Sequence, residues 1–178
     1  MTAKKSGANA DGGPGDKAHL AGKYLTFNLG KELYGVEILK VQEIIGVLPV
    51  TKVPKSPEFI KGVINLRGKV IPVIDLRLKL GMEAQAYDER TCIIVINMQI
   101  EEQNVAVGVV VDSVHEVFNF EAAQIEFAPK FGVDADSAAI LGIGKINETV
   151  VMLLDLHRAL TSSETELLEA GPRAPALN

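Results

Sequence analysis

Residues 59–80 read FIKGVINLRGKVIPVIDLRLKL, and residues 139–160 read AILGIGKINETVVMLLDLHRAL. The second stretch repeats the first. Gly62 returns as Gly142, the apolar run returns, and Asp75-Leu76 returns as Asp155-Leu156. Arg67 does not return; Asn147 stands in its place. Each stretch reads as a hairpin running into a short helix. The first turns at Arg67-Gly68 and the second near Asn147-Glu148, since Gly and Asn tolerate the positive φ of tight turns. Pro72 has no N–H for a ladder, which predicts an edge strand or a bulge there. Asp75 and Asp155 stand where a helix N-cap belongs. Gly81 suits the end of the first helix, and the second is expected to be longer, over about 155–169.

Working outward, each copy opens with a second hairpin. KYLTFNLGKELYGVEI (23–38) has two β-rich runs about a Gly-Lys-Glu turn, and RTCIIVINMQIEEQNVAVGVVV (90–111) is the same hairpin with a longer polar tip. GVEILKVQEI (35–44) then matches GVVVDSVHEV (108–117), pairing Gly35 with Gly108, Val41 with Val114, Glu43 with Glu116 and Ile44 with Val117. The offset is 73 residues here and 80 in the closing hairpins, so the second copy carries about seven extra residues, placed in the polar stretch APKFGVDADSAA (128–139).

Short strands with turns every eight to twelve residues predict small barrels. A unit of about sixty residues buries too little surface to be stable alone, so two copies are expected side by side, sharing an apolar interface with a groove between them. The expected fold is all-β with short helices: two intertwined SH3-like five-stranded barrels, the first over about 23–82 and the second over about 88–160. Residues 1–22, rich in Gly, Ala, Lys and Asp, and 170–178 read as flexible tails.

Composition closes off several functions. The 178 residues carry a net charge of -5, no Trp and 5% aromatics, which argues against nucleic acid as a partner. One cysteine, Cys92, excludes an internal disulfide and fits a reducing compartment. In its apolar strand it reads as a packed thiol rather than a nucleophile. No leader peptide is visible, and no apolar run approaches the ~20 residues a membrane span needs, so a cytoplasmic protein without membrane insertion is expected. His19, His115 and His157 lack metal-ligand spacing. No G-x-S-x-G elbow occurs. The G-x-G-K of GIGKINETV lacks phosphate-loop spacing, and DADSAA lacks the other ligands of a calcium loop. No catalysis, cofactor or metal is expected.

The duplication also filters residues. Positions apolar in both copies are expected in the core: Val36/Val109, Val63/Ile143, Val73/Leu153 and Ile74/Leu154. Gly35/Gly108, Gly62/Gly142 and Asp75/Asp155 read as scaffold. A residue kept in one copy only is free of the scaffold, and Arg67 is such a residue: beside a hairpin tip, its guanidinium can reach a carboxylate. On pattern alone it equally fits an exposed turn arginine interchangeable with Asn.

YGVEILKVQEII, SPEFIKGVINLRGKVIPVIDLRLKLG and VAVGVVVDSVHEV resemble the CheW family, the bacterial chemotaxis coupling proteins. The likeness runs from about Lys23 to Leu168. It implies the double SH3-like barrel and a non-catalytic adaptor that links chemoreceptors to the histidine kinase CheA in signalling arrays. The implied partners are the receptor's cytoplasmic tip, the regulatory domain of CheA and further copies of the family in rings. By match to the family's motifs, the receptor- and kinase-binding surface includes Val41, Glu43, Gly62, Arg67, Gly108, Val114 and Val117. The resemblance pairs Glu43 with Arg67, while Val114 and Val117 fit either groove lining or core. Cys92 stands where the family usually has an aliphatic residue. The remaining alternatives are coupling in a non-flagellar chemosensory pathway and a small-barrel nucleic-acid module, which would need a basic stripe with interleaved aromatics.

Overall fold

Two-residue turns organise the chain, and most take positive φ: Gly30 (62°), Arg67 (54°) with Gly68 (88°), Glu101 (53°) with Glu102 (67°), and Asn147 (56°). Such turns match the right-handed twist of the strands they join. The computed structural model describes residues 17–127 and 139–161. The described strands are β1 (Gly22–Leu29), β2 (Glu32–Glu37), β3 (Val41–Gly46), β4 (Ile60–Leu66), β5 (Lys69–Asp75), β6 (Cys92–Ile100), β7 (Gln103–Val111), β8 (Ser113–Phe120), β9 (Ile125–Glu126), β10 (Ile140–Ile146) and β11 (Thr149–Leu154). Two short helices, α1 (Leu76–Lys79) and α2 (Leu156–Leu160), follow the closing hairpins. Asp75 caps α1 by accepting from the Leu78 N–H, and Asp155 caps α2 from the Arg158 N–H. The expected longer helix to 169, the extra residues around 128–138 and both tails lie outside the described residues, apart from 17–22.

The strands form two sheets, ordered β8-β1-β2-β11-β10-β9 and β3-β6-β7-β5-β4. Each sheet draws on both repeats. The opening hairpin β1–β2 of the first repeat pairs in parallel with β11 of the second (Val36↔Leu154), and the opening hairpin β6–β7 of the second pairs in parallel with β5 of the first (Val73↔Gly108). The ranges 23–82 and 88–160 therefore describe the repeat and not the barrels: each barrel is completed by strands from the other half.

Each sheet curls back on itself. Beyond β3 the chain returns to β4 through Thr51, whose N–H and C=O bond Val63 at 2.9 and 2.8 Å. Beyond β8 it returns to β10 through β9, with Ile143 opposite Glu126. The first sheet thus counts six strands only because its closing contact is long enough to be a strand.

Burial follows the alternation of the strands. In β6, Ile93 and Val95 point into one barrel while Ile94 and Ile96 point at the other sheet; in β5, Val73 and Ile74 divide in the same way. Tyr24, Phe120, Ile125, Val151 and Leu153 fill the second barrel. The largest cluster, including Phe27, Val36, Ile94, Val109, Leu154 and Leu156, lies between the sheets. That shared core is the apolar interface that the duplication predicts between the two copies. Val36/Val109, Val73/Leu153 and Ile74/Leu154 are buried, but Val63 and Ile143 are only half-buried, each a residue beyond the bulge at Gly62 or Gly142.

Pro72 sits neither on an edge nor at a bulge. β5 is interior, yet the proline removes no ladder bond. Its antiparallel partner Val63 uses its own N–H and C=O on Thr51, so the Val63–Pro72 pair exchanges none. Toward β7 the parallel register begins only at Val73. The matching strand β11 has Met152 at this position and pairs with β2 from Val151 onward. The second opening hairpin also differs from expectation: its turn is two residues like the first, and the extra length lies in the nine-residue strands β6 and β7.

Candidate protein-docking site

Glu43 lies on β3 and Arg67 at the β4–β5 turn, and these are the two edges of one sheet. The curl of the barrel brings them together, and Arg67 Nη2 donates to Glu43 Oε2. Arg67 is 66% exposed and Glu43 25%. The backbone at Arg67 is left-handed, a conformation Asn enters far more readily than Arg. The symmetry-related turn carries Asn147 at φ 56°, the residue such a turn selects by itself. Arginine at this position is thus unfavourable for the turn and is explained by what its side chain reaches.

The apolar members of the expected surface divide. Val41 and Val114 are half-buried and pack on the central cluster, from β3 of one sheet and β8 of the other. Val117 is 46% exposed, and its counterpart Ile44, next to Glu43, is 42% exposed. Gly62 and Gly108 are buried. At Gly62, with φ 141°, a Cβ would stand 2.1 Å from the Thr51 carbonyl oxygen, and at Gly108 it would stand 2.9 Å from Ile93. Both keep the barrels closed beneath the surface and present no side chain on it. Glu43 and Arg67 meet directly; Val114 and Val117 belong to the other sheet.

Sequence reasoning missed three features. Val70, on β5 just past the Arg67-Gly68 turn, is 66% exposed, and Leu39, on the turn before β3, is 92% exposed. The third is an ion pair: Arg77 of α1 donates from Nε and Nη2 to Asp112, each at 2.8 Å, and from Nη1 to the Glu83 carbonyl. Asp112 also accepts from the Gly30 N–H at 2.7 Å. Burial alone would raise the Asp112 carboxyl, but these hydrogen bonds outweigh it and hold the group below the usual carboxylate range. The repeat filter applied to every position would have found both Leu39 and Arg77, since Leu39 aligns with Asp112 and Arg77 with His157.

Arg77 and Asp112 line a polar cleft of about 350 Å³ with Asp75, Tyr87 and Asp88. Tyr87 donates its hydroxyl to Asp75, and burial with that hydrogen bond pushes its pKa well up. Asp88 accepts from the Arg90 N–H. These carboxylates are all engaged in holding the fold. Among the described residues no group of three or more His, Cys, Asp or Glu is placed to hold a metal, and no helix is long and apolar enough to cross a membrane. Cys92 is half-buried, its thiol directed at the Arg90 carbonyl.

Fold and site together define a duplicated double-barrel module that presents a charged pair and exposed aliphatic side chains. Residues 23–164 match the family model of the CheW-like domain. The chemotaxis protein CheW of Klebsiella aerogenes is 44% identical over 147 residues, which is 83% of this chain and 86% of that protein. A probable chemotaxis protein CheW of Rhizobium etli is 33% identical, covering 80% of this chain and 89% of its own length. The crystal structure of the scaffolding protein TtCheW from Thermoanaerobacter tengcongensis superposes with a TM-score of 0.70 at 36% identity, covering 80% of this chain and 94% of that one. The chain belongs to the CheW family of chemotaxis coupling and scaffold proteins.

Proposed function

We propose that this protein is a non-catalytic adaptor that couples the cytoplasmic tips of methyl-accepting chemoreceptors to the regulatory domain of the kinase CheA. It would act in the cytoplasm, recruited to membrane-associated receptor arrays. The observation that carries this reading is the Arg67–Glu43 pair, held at an exposed barrel edge with Ile44 and Val70 alongside it in the chain. A receptor tip is a bundle of helices with apolar end residues, and such a partner docks by a few aliphatic anchors oriented by charges. Val41, Ile44, Val114 and Val117 are the proposed anchors. Glu43 and Arg67 set orientation, and Gly62 and Gly108 shape the support. Individual contacts are modest, and an array of linked sites multiplies them.

The test is co-sedimentation with receptor-containing membranes, with and without the kinase. Arg67→Asn installs the residue that the second repeat already tolerates, so melting should be unchanged while co-sedimentation falls. Full recruitment of this variant would remove the pair from the site, and no recruitment of the parent chain would overturn the adaptor reading.

A further inference from the structure

The two closing hairpins differ at a second position besides Arg67. Two residues earlier, near the end of the strand, the first has Asn65 and the second has Lys145. These side chains do different things. Asn65 Oδ1 accepts from the Gly68 N–H at 2.7 Å, so a side chain of β4 closes on the turn itself. Lys145 has no acceptor to offer; its ammonium donates to Glu126 Oε2 on β9, at 2.5 Å.

The two differences compensate each other. Arg67 (φ 54°) and Gly68 (φ 88°) are left-handed in succession, and a hairpin turn of that kind prefers Asn-Gly. In the second repeat Asn147 meets its φ of 56° with its own preference. In the first repeat the asparagine stands at 65 and leaves the turn position to arginine. Its bond to the Gly68 N–H spans Leu66 and Arg67 and pins the residue that follows Arg67. The arginine is thereby held in a conformation that its own side chain disfavours. Asn65 and Gly68 are both exposed, so water replaces this bond when it is lost, and the fold does not depend on it.

We propose that Asn65 is a positioning residue of the docking site: by holding the turn through Gly68, it fixes the direction from which Arg67 reaches Glu43. The inference rests on the reading of the Arg67–Glu43 pair as part of the docking surface. Arginine at 67 and asparagine at 65 then form a set. The second repeat has no arginine to place, and its Lys145 is free to tie β10 to β9. Asn65 also stands opposite Val70 in the β4–β5 ladder, so one hairpin end carries the charge, the exposed aliphatic side chain and the residue that orients them.

The test titrates Asn65→Ala and Arg67→Asn, singly and together, against receptor-containing membranes by co-sedimentation. Asn65→Ala should melt as the parent does and bind about fivefold more weakly, the worth of one ordinary hydrogen bond. In the Arg67→Asn chain the turn residue holds itself, and adding Asn65→Ala should change nothing further. Parental binding by Asn65→Ala would overturn the proposal. An equal loss in both backgrounds, of binding or of melting temperature, would make Asn65 a plain structural residue and overturn it as well. If the parent chain is not recruited, the adaptor reading falls by itself, and the free protein decides the positioning. The backbone heteronuclear NOE at residue 67 should drop in Asn65→Ala and recover when Arg67→Asn is added. An NOE unchanged by Asn65→Ala would overturn the proposal.

Discussion

Arg77 grips Asp112 through two parallel hydrogen bonds of 2.8 Å and ties three parts of the molecule together. Arg77 stands on the helix that ends one sheet, Asp112 where the chain crosses between sheets, and Gly30 at a hairpin tip of the other. A forked, largely shielded pair of this kind loses most of its value when one partner is removed, because the other charge stays behind. Arg77→Ala should lower unfolding free energy by about 2–3 kcal/mol, and Arg77→Lys by a large part of that, since an ammonium cannot reproduce the fork. Urea denaturation measures both. A loss no greater than that of an exposed surface substitution would show that the clamp is not stabilising.

The same pair sets an acid limb. The Asp112 carboxyl is held below its ordinary range in the folded state, so its stabilisation is complete above the unfolded pKa of about 4 and fades as pH falls through the folded value. Asp112→Asn should be less stable than the parent at neutral pH, with the difference narrowing below about pH 4. Parallel stability curves from pH 7 down would contradict this assignment.

Gly62→Ala should be severely destabilising, by about 2 kcal/mol or more, because it combines a positive φ with a Cβ driven into the Thr51 carbonyl. Gly46→Ala is the control: nothing lies within 4 Å of its Cβ and its φ is not positive. Thermal melts of the two should separate clearly.

Asp75 and Asp155 cap equivalent helices, but Asp75 is buried and also accepts the Tyr87 hydroxyl. Asp155→Ala should cost about 1 kcal/mol, the usual worth of a cap, and Asp75→Ala about 1 kcal/mol more, because it also removes the acceptor of the part-buried Tyr87 hydrogen bond. Tyr87→Phe should recover part of that loss in the Asp75→Ala background. Independent, additive effects would show that the two groups are not coupled.

Much of this was readable from the repeat alone. Gly62 against Gly142, Asp75 against Asp155 and the turns at Arg67 and Asn147 are local features, and local rules govern them. The exchange of strands was less readable in detail. β11 pairs with β2 and β5 with β7, but an apolar strand buried on both faces carries no mark of which neighbour it joins. Pro72 misled for a related reason, since a proline is excluded from an interior strand only where its nitrogen faces a partner. Arg67 stands out because the second copy has Asn147 in its place. Arg77 was overlooked because its carboxylate is 35 residues away and appears as one acidic residue in an apolar stretch.

The crossed pairing also sets the order in which the molecule can be made. Val36 waits for Leu154, and Tyr24 for Phe118. On the ribosome neither barrel can close from the first half of the chain, and the barrel begun first is finished last. Until then β1 and β2 expose open backbone edges, and long-range pairing of this kind is slow. A nascent chain of this protein should therefore draw on chaperones for nearly the whole of its synthesis.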